Sequence, residues 1–162
     1  MASTSTNKQP LLIDRVLHSV VDTAELSSGS GTSLDIQGAN SSTVLVDCSN
    51  NDGAVVECIY SIGRAASNSP PKISLFLSNA NDFLRPSEAV FIGQFASPGT
   101  VATKNFYNDM PKVLAPMPQT GSTTQFSAIY VPGGMNLWVT IQRAGTARLD
   151  THPIVGAQGG FY

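Results

Sequence analysis

Short runs of alternating apolar and polar residues recur roughly every 10–15 positions along this chain, and they predict an all-β fold. Clusters of Gly, Pro and Asn separate the runs, and no convincing helix longer than two turns appears. Together these observations point to an antiparallel β-sandwich or jelly-roll-like single domain with extended N- and C-terminal arms. The expected divisions are an arm over residues 1–10, a β-sandwich over 11–145 and a tail over 146–162. At 162 residues the length suits one domain with a sizeable core.

Residues 1–10 are small and polar and end in Pro10, the composition of an extended arm. In Leu11–Val21 neither strand face is clean, and Leu12, Val16, Leu17 and Val20 also fit helical spacing. Closing β-branched residues and the lack of an opening cap favour a strand. A loop with the tip Ser27–Gly31 follows, then a short edge strand over Ser33–Gln37.

Val44–Cys48 and Val55–Ile62 form the clearest strand pair, joined by Ser49-Asn50-Asn51-Asp52-Gly53, which is dense turn chemistry. Period two places Val56, Cys58, Tyr60 and Ile62 on one face and Val44, Val46 and Cys48 on another, so both cysteines are expected to point inward. One register sets Cys48 opposite Cys58 and another sets it opposite Ala54. Buried free thiols acting as small hydrophobes are favoured over a disulfide. Ile73, Leu75 and Leu77 give a half-buried strand, Ser78–Pro86 an Asx-rich turn, and Ala89–Phe95 a strand with Gly93 as a candidate bulge. Pro98–Thr123 is irregular, and an irregular stretch of that length is usually functional or packed on a partner.

In Phe126–Arg143 two β-prone runs flank Pro132-Gly133-Gly134. Pro at the second position of a turn and Gly at the third fit type II geometry, and the two runs read as a hairpin. In that hairpin Ile129, Val131, Trp138 and Thr140 lie on the side away from Phe126, Ala128, Tyr130, Leu137, Val139 and Ile141. Trp138 then either anchors a subunit interface or lies under a second layer or the proline-rich loop. The terminal Phe161-Tyr162 poses a similar choice, a frayed end or an aromatic tag docking on a neighbour.

Composition narrows the function. Only 12% of residues are charged, about half the usual share, and the formal net charge is −2. The nine Lys and Arg residues are scattered singly, which argues against nucleic acid, because phosphate binding needs several cations acting together. The first ten residues hold no signal-type apolar run, and no run approaches the ~20 apolar residues of a membrane span, so neither export nor membrane insertion is expected. Asn40-Ser41-Ser42 is then a chance match to a glycosylation acceptor.

No catalytic pattern emerges. His18 and His152 lack metal-ligand spacing with each other or with the cysteines. Asn79, Asn81 and Asp82 depart from a calcium loop. Gly29-Ser30-Gly31 does not stand between a strand and a helix as a nucleophile elbow does. No phosphate-binding glycine loop is present. The expectation is a protein that is not an enzyme and has no cofactor or metal.

Asn7-Lys8-Gln9-Pro10-Leu11-Leu12-Ile13-Asp14-Arg15 and Val131-Pro132-Gly133-Gly134-Met135-Asn136-Leu137-Trp138-Val139 resemble segments of small structural proteins of tailed bacteriophages, cyanophages especially. The second segment looks like a hairpin in their oligomeric β-sandwich parts. The resemblance implies a virion component without catalytic residues. Its first form is a head decoration (cement) protein, often trimeric, bound to the major capsid protein or another virion protein; its second is a tail, collar or baseplate subunit. Lys8, Gln9, Pro10, Leu11, Trp138, Phe161 and Tyr162 are the interface residues expected on that reading. A carbohydrate-binding module, with Trp138 and Tyr107 as stacking platforms, is the alternative from another class.

Overall fold

A computed structural model describes residues 15–24, 26, 29–30, 42–64, 66, 70–81, 84, 87–108, 128–143 and 152–162. Ten strands run in chain order: β1 (Arg15–Asp22), β2 (Gly29–Ser30), β3 (Ser42–Asp47), β4 (Gly53–Ile62), β5 (Lys72–Ser78), β6 (Val90–Ala96), β7 (Lys104–Phe106), β8 (Ile129–Pro132), β9 (Asn136–Arg143) and β10 (Ile154–Phe161). The first sheet has the order β1-β10-β4, with β7 and β8 sharing the far side of β4. The second has the order β9-β5-β6, with β2 and β3 on the far side of β9. All pairings are antiparallel except the two-residue β2–β9 contact. The protein is an all-β sandwich, and its wrapping is that of a jelly roll: β1, β4, β7, β8 and β10 alternate along the chain with members of the opposite sheet.

That wrapping overturns both expected hairpins. β3 pairs with β9 and β4 with β10, so Cys48–Asp52 is a corner between sheets. β8 pairs with β4 and β9 with β5, so Gly133-Gly134 is a second corner. The turn runs Pro132–Met135, with the Met135 N–H donating to Pro132 O at 3.1 Å, and Gly134 takes φ +79°. The positive-φ position of type II geometry thus falls one residue later than expected. The corners brace each other, because Gly134 N–H donates to Cys48 O at 2.8 Å and Cys48 N–H to Met135 O at 3.2 Å. Ile129 and Val131 consequently face the same core as Leu137, Val139 and Ile141, while Tyr130 and Trp138 point outward from opposite sheets.

A bulge overturns the parity expected for β4. Gln158 stands opposite Cys58 and Gly159 opposite Val56, leaving Glu57 unmatched. An extra residue reverses the facing of everything beyond it. Ile59 and Ser61 therefore enter the interior, and Cys58, Tyr60 and Ile62 turn outward half-buried. Cys48 is buried in the core, and the two thiols are free.

The expected tail over 146–162 is corrected as well: Ile154–Phe161 is an interior strand between β1 and β4. Its glycines made it look irregular, yet Gly156 is required by close approach, since a Cβ there would collide with the Tyr60 ring. Lys8, Gln9, Pro10 and Leu11, the edge strand expected over Ser33–Gln37 and most of the irregular 98–123 stretch lie outside the described residues.

The core lies between the sheets and includes Leu17, Val56, Ile59, Leu75, Leu137, Val139, Ile141 and Val155. A second cluster sits on the outer side of the second sheet, where Ala80 and Leu84 cover Phe76 and Trp138, with Val44 and Ala89 at its margin. Asn136 fastens that cover. Its Oδ1 accepts from Cys48 N–H at 3.0 Å, and its Nδ2 donates to Ala80 O at 3.1 Å. Leu84 N–H donates to Ser42 Oγ at 3.2 Å.

Candidate functional site

Among the described residues, the outer side of the first sheet has no such cover over much of its area. Cross-strand registers arrange its outward side chains in four rows: Val16, Gly160, Val55 and Tyr130; then His18, Gln158 and Cys58; then Val20, Gly156, Tyr60 and Phe106; then Asp22, Ile154, Ile62 and Lys104. Val16 is 83% exposed, Val20 54%, Phe106 52% and Tyr130 47%. A folded monomer scatters single apolar residues over its surface, whereas these four are aligned on one sheet face.

The rings are held in place. Tyr60 fills the space above Gly156, its hydroxyl stands 3.3 Å from His18 Nε2, and the Lys104 ammonium lies 5.6 Å from its ring centroid. Tyr130 stacks on Tyr162 with centroids 5.5 Å apart and ring planes within 12°. At the far corner Arg64 and Asp22 form an ion pair at 2.5 Å. Burial pushes the Asp22 carboxyl up, but the Ala24 N–H, the Arg64 guanidinium and the charge of His152 outweigh it and hold the group below its ordinary value of 3.8. Behind this corner His152 is wholly buried, its Nδ1 2.5 Å from Thr23 O, while Thr23 Oγ1 donates to Pro153 O at 2.6 Å. These bonds pin the end of β1 to the start of β10.

Burial, and secondarily the charge of Asp47, pushes the Cys48 thiol up to about 11; burial raises Cys58 as well, so neither is an activated nucleophile. Among the described residues no three His, Cys, Asp or Glu side chains stand close enough to hold a metal.

The structure separates the sequence-predicted interface residues. Trp138 is 2% exposed beneath Ala80 and Leu84, so its expected role as an exposed anchor is corrected; it packs within its own subunit. Its parity away from the main core is as expected, but the segment following β5 folds back over it. Phe161 packs against the core with the Arg15 guanidinium 5.1 Å from its ring centroid. Tyr162 N–H donates to Gly53 O at 3.2 Å, so both terminal aromatics dock on their own chain. Tyr107 is buried too, which leaves neither nominated sugar-stacking platform on the surface. Val16, Val20, Tyr60, Phe106 and Tyr130 were not singled out from sequence. The available signal was the even parity of Val16, His18 and Val20, which alone lines up three outward residues.

No protein-family model matches the chain, and no curated protein and no solved structure is similar to it.

Proposed function

We propose that this chain is a non-enzymatic virion structural protein, a capsid decoration (cement) protein that holds the shell together by bridging capsid subunits. The observation that carries the reading is the outer face of the first sheet, which presents exposed valines and rings, whereas on the second sheet Ala80 and Leu84 roof Phe76 and Trp138 and leave only Phe91 exposed beside them among the described rings. The jelly roll is a fold of viral capsid and lectin domains, which agrees with the reading without selecting it. The two phage-like segments select virion over lectin. The partner is the major capsid protein or another virion protein, and the protein acts as a homo-oligomer, a trimer by family habit.

Magnitude supports a repeated contact rather than a single tight one. Four strands about 4.8 Å apart and seven residues at about 3.4 Å each give a flat area of roughly 450 Å². A stable standard interface needs about 800 Å² per partner. One face therefore binds weakly, and retention comes from many copies engaging a regular shell.

The test is loading onto shells stripped of the protein. Phe106→Ser combined with Tyr130→Ser should leave the circular dichroism and melting profile near wild type and reduce loading at least tenfold. Wild-type loading by that folded variant contradicts the reading. Copy number separates the two virion roles: hundreds per particle for a shell component, tens or fewer for a tail, collar or baseplate part.

A further inference from the structure

Apolar burial holds β1 only lightly. Among the described residues its backbone pairs with β10 alone, and of its eight residues only Leu17 is buried, with Val21 partly packed on the core. β5, by contrast, buries Ile73, Ser74, Leu75, Phe76 and Ser78. β6, the long edge of the second sheet, sets Phe91 against Phe76 and Phe95 against Tyr107. Less apolar area removed from water means a weaker hold on β1 than on these strands.

Side chains that pass over β10 supply part of the difference. Arg15 Nη2 donates to Asn51 Oδ1 at 2.7 Å, and the Tyr60 hydroxyl stands 3.3 Å from His18 Nε2. Asn51 precedes β4 and Tyr60 belongs to it, so both contacts skip the strand in between. The outward side of β10 leaves room for the crossing. Gly156 stands between Val20 and Tyr60, and a Cβ there would collide with the Tyr60 ring. Tyr60 lies across that bare backbone and leans from its own row toward His18 in the next. The other end of β1 is fastened differently. Thr23 bonds to Pro153 O, His152 Nδ1 meets Thr23 O, Arg64 pairs with Asp22, and Leu26 is buried just beyond.

We infer that β1 is a strap: it is hinged at Thr23, latched by Tyr60 on His18 and by Asn51 on Arg15, and able to swing off β10 while the other strands stay folded. A segment with little buried apolar surface opens at lower cost than the whole domain unfolds, which makes its opening a separate local transition. Opening takes Val16, His18 and Val20 off the open face and bares the outer edge of β10. A partner seated on that face therefore binds only the latched form and pulls the strap shut. The strap stands on these intrachain contacts; its coupling to a partner rests on the proposed shell contact.

Amide hydrogen exchange in the full chain tests the strap, because exchange follows the opening equilibrium of each segment. In the wild type the β1 amides bonded to β10 should exchange roughly tenfold or more faster than those of β5 and β9, and fastest toward Arg15. Gly156→Ala should push Tyr60 off His18 and speed β1 exchange by roughly a further tenfold, leaving β5 and β9 within about twofold of wild type. Tyr60→Phe, which loses only the hydroxyl, should speed it about threefold. In a Tyr60→Ala background Gly156→Ala should add nothing, because the ring it displaces is gone. That pair keeps the test open if Gly156→Ala alone fails to fold. Equal protection of β1, β5 and β9 in the wild type overturns the strap. So does a Tyr60→Phe or Gly156→Ala effect spread evenly over all three strands, or a Gly156→Ala effect that persists without the Tyr60 ring. On shells loaded with the protein, β1 exchange should slow roughly tenfold. Unslowed exchange there, with the free-chain results as expected, leaves the strap standing and overturns its coupling to a partner.

Discussion

Glu57 has no partner across the strand, and this one extra residue decides which side chains the protein shows to its surroundings. Without it Tyr60 would enter the core and Ile59 would leave it. A period-two reading of Val55–Ile62 finds the strand correctly and assigns its far half to the wrong face, because nothing local in Val56-Glu57-Cys58 announces a bulge. Trp138 shows the opposite case. Its parity was legible in sequence, but its fate depended on Ala80 and Leu84, which lie more than fifty residues earlier and become neighbours only in the fold. Trp138→Ala empties a site walled by Phe76, Ala80 and Leu84 and should cost about 3–5 kcal/mol, a large share of a typical 5–15 kcal/mol total. Denaturant unfolding measures it. A loss below about 1 kcal/mol would mean that the roof over Trp138 does not form.

At the scale of elements, strands were easier to read than their connections. Alternation marks β3, β4, β5, β6 and β9, although β5, expected to be half-buried, and β9 are buried on both faces because the second cluster covers their outer side. Whether neighbours in sequence pair or cross depends on the opposite sheet, and Gly-rich corners use the same residues as hairpins. The sequence of β10 has the look of a tail because Gly156, Gly159 and Gly160 have no strand preference; the strand exists because β1 and β4 enclose it on both sides. The β1 end is fixed by Thr23, His152 and the Asp22–Arg64 pair, and the pair has a pH signature. The folded Asp22 carboxyl lies below its ordinary 3.8, so its contribution is present above that pH and is lost as pH falls through the lower folded value. Side chains 52% and 34% exposed keep this contribution under about 1 kcal/mol. Asp22→Asn should lower stability slightly at neutral pH and flatten the acid limb of the pH–stability curve. Superimposable curves for the two proteins would show that the pair contributes nothing.

For the whole molecule, the decisive feature is a difference between its two outer faces. The roofed face buries Phe76 and Trp138 within the chain and leaves Phe91 half exposed at its β6 margin, whereas the open face holds Tyr60 and Tyr130 in place and leaves Val16, Val20 and Phe106 in water. The candidate site was therefore only partly legible: its residues were visible as β-strand members, but their convergence required the register of five strands. Docking of this face on a viral shell is the central claim, and electron microscopy of particles carrying the protein tests it directly. The account predicts many copies on the shell with the first sheet turned toward the capsid surface and Tyr130 and Phe106 at the contact. Absence from every particle, or a shell-bound protein that turns its roofed Trp138 side to the capsid, would contradict it.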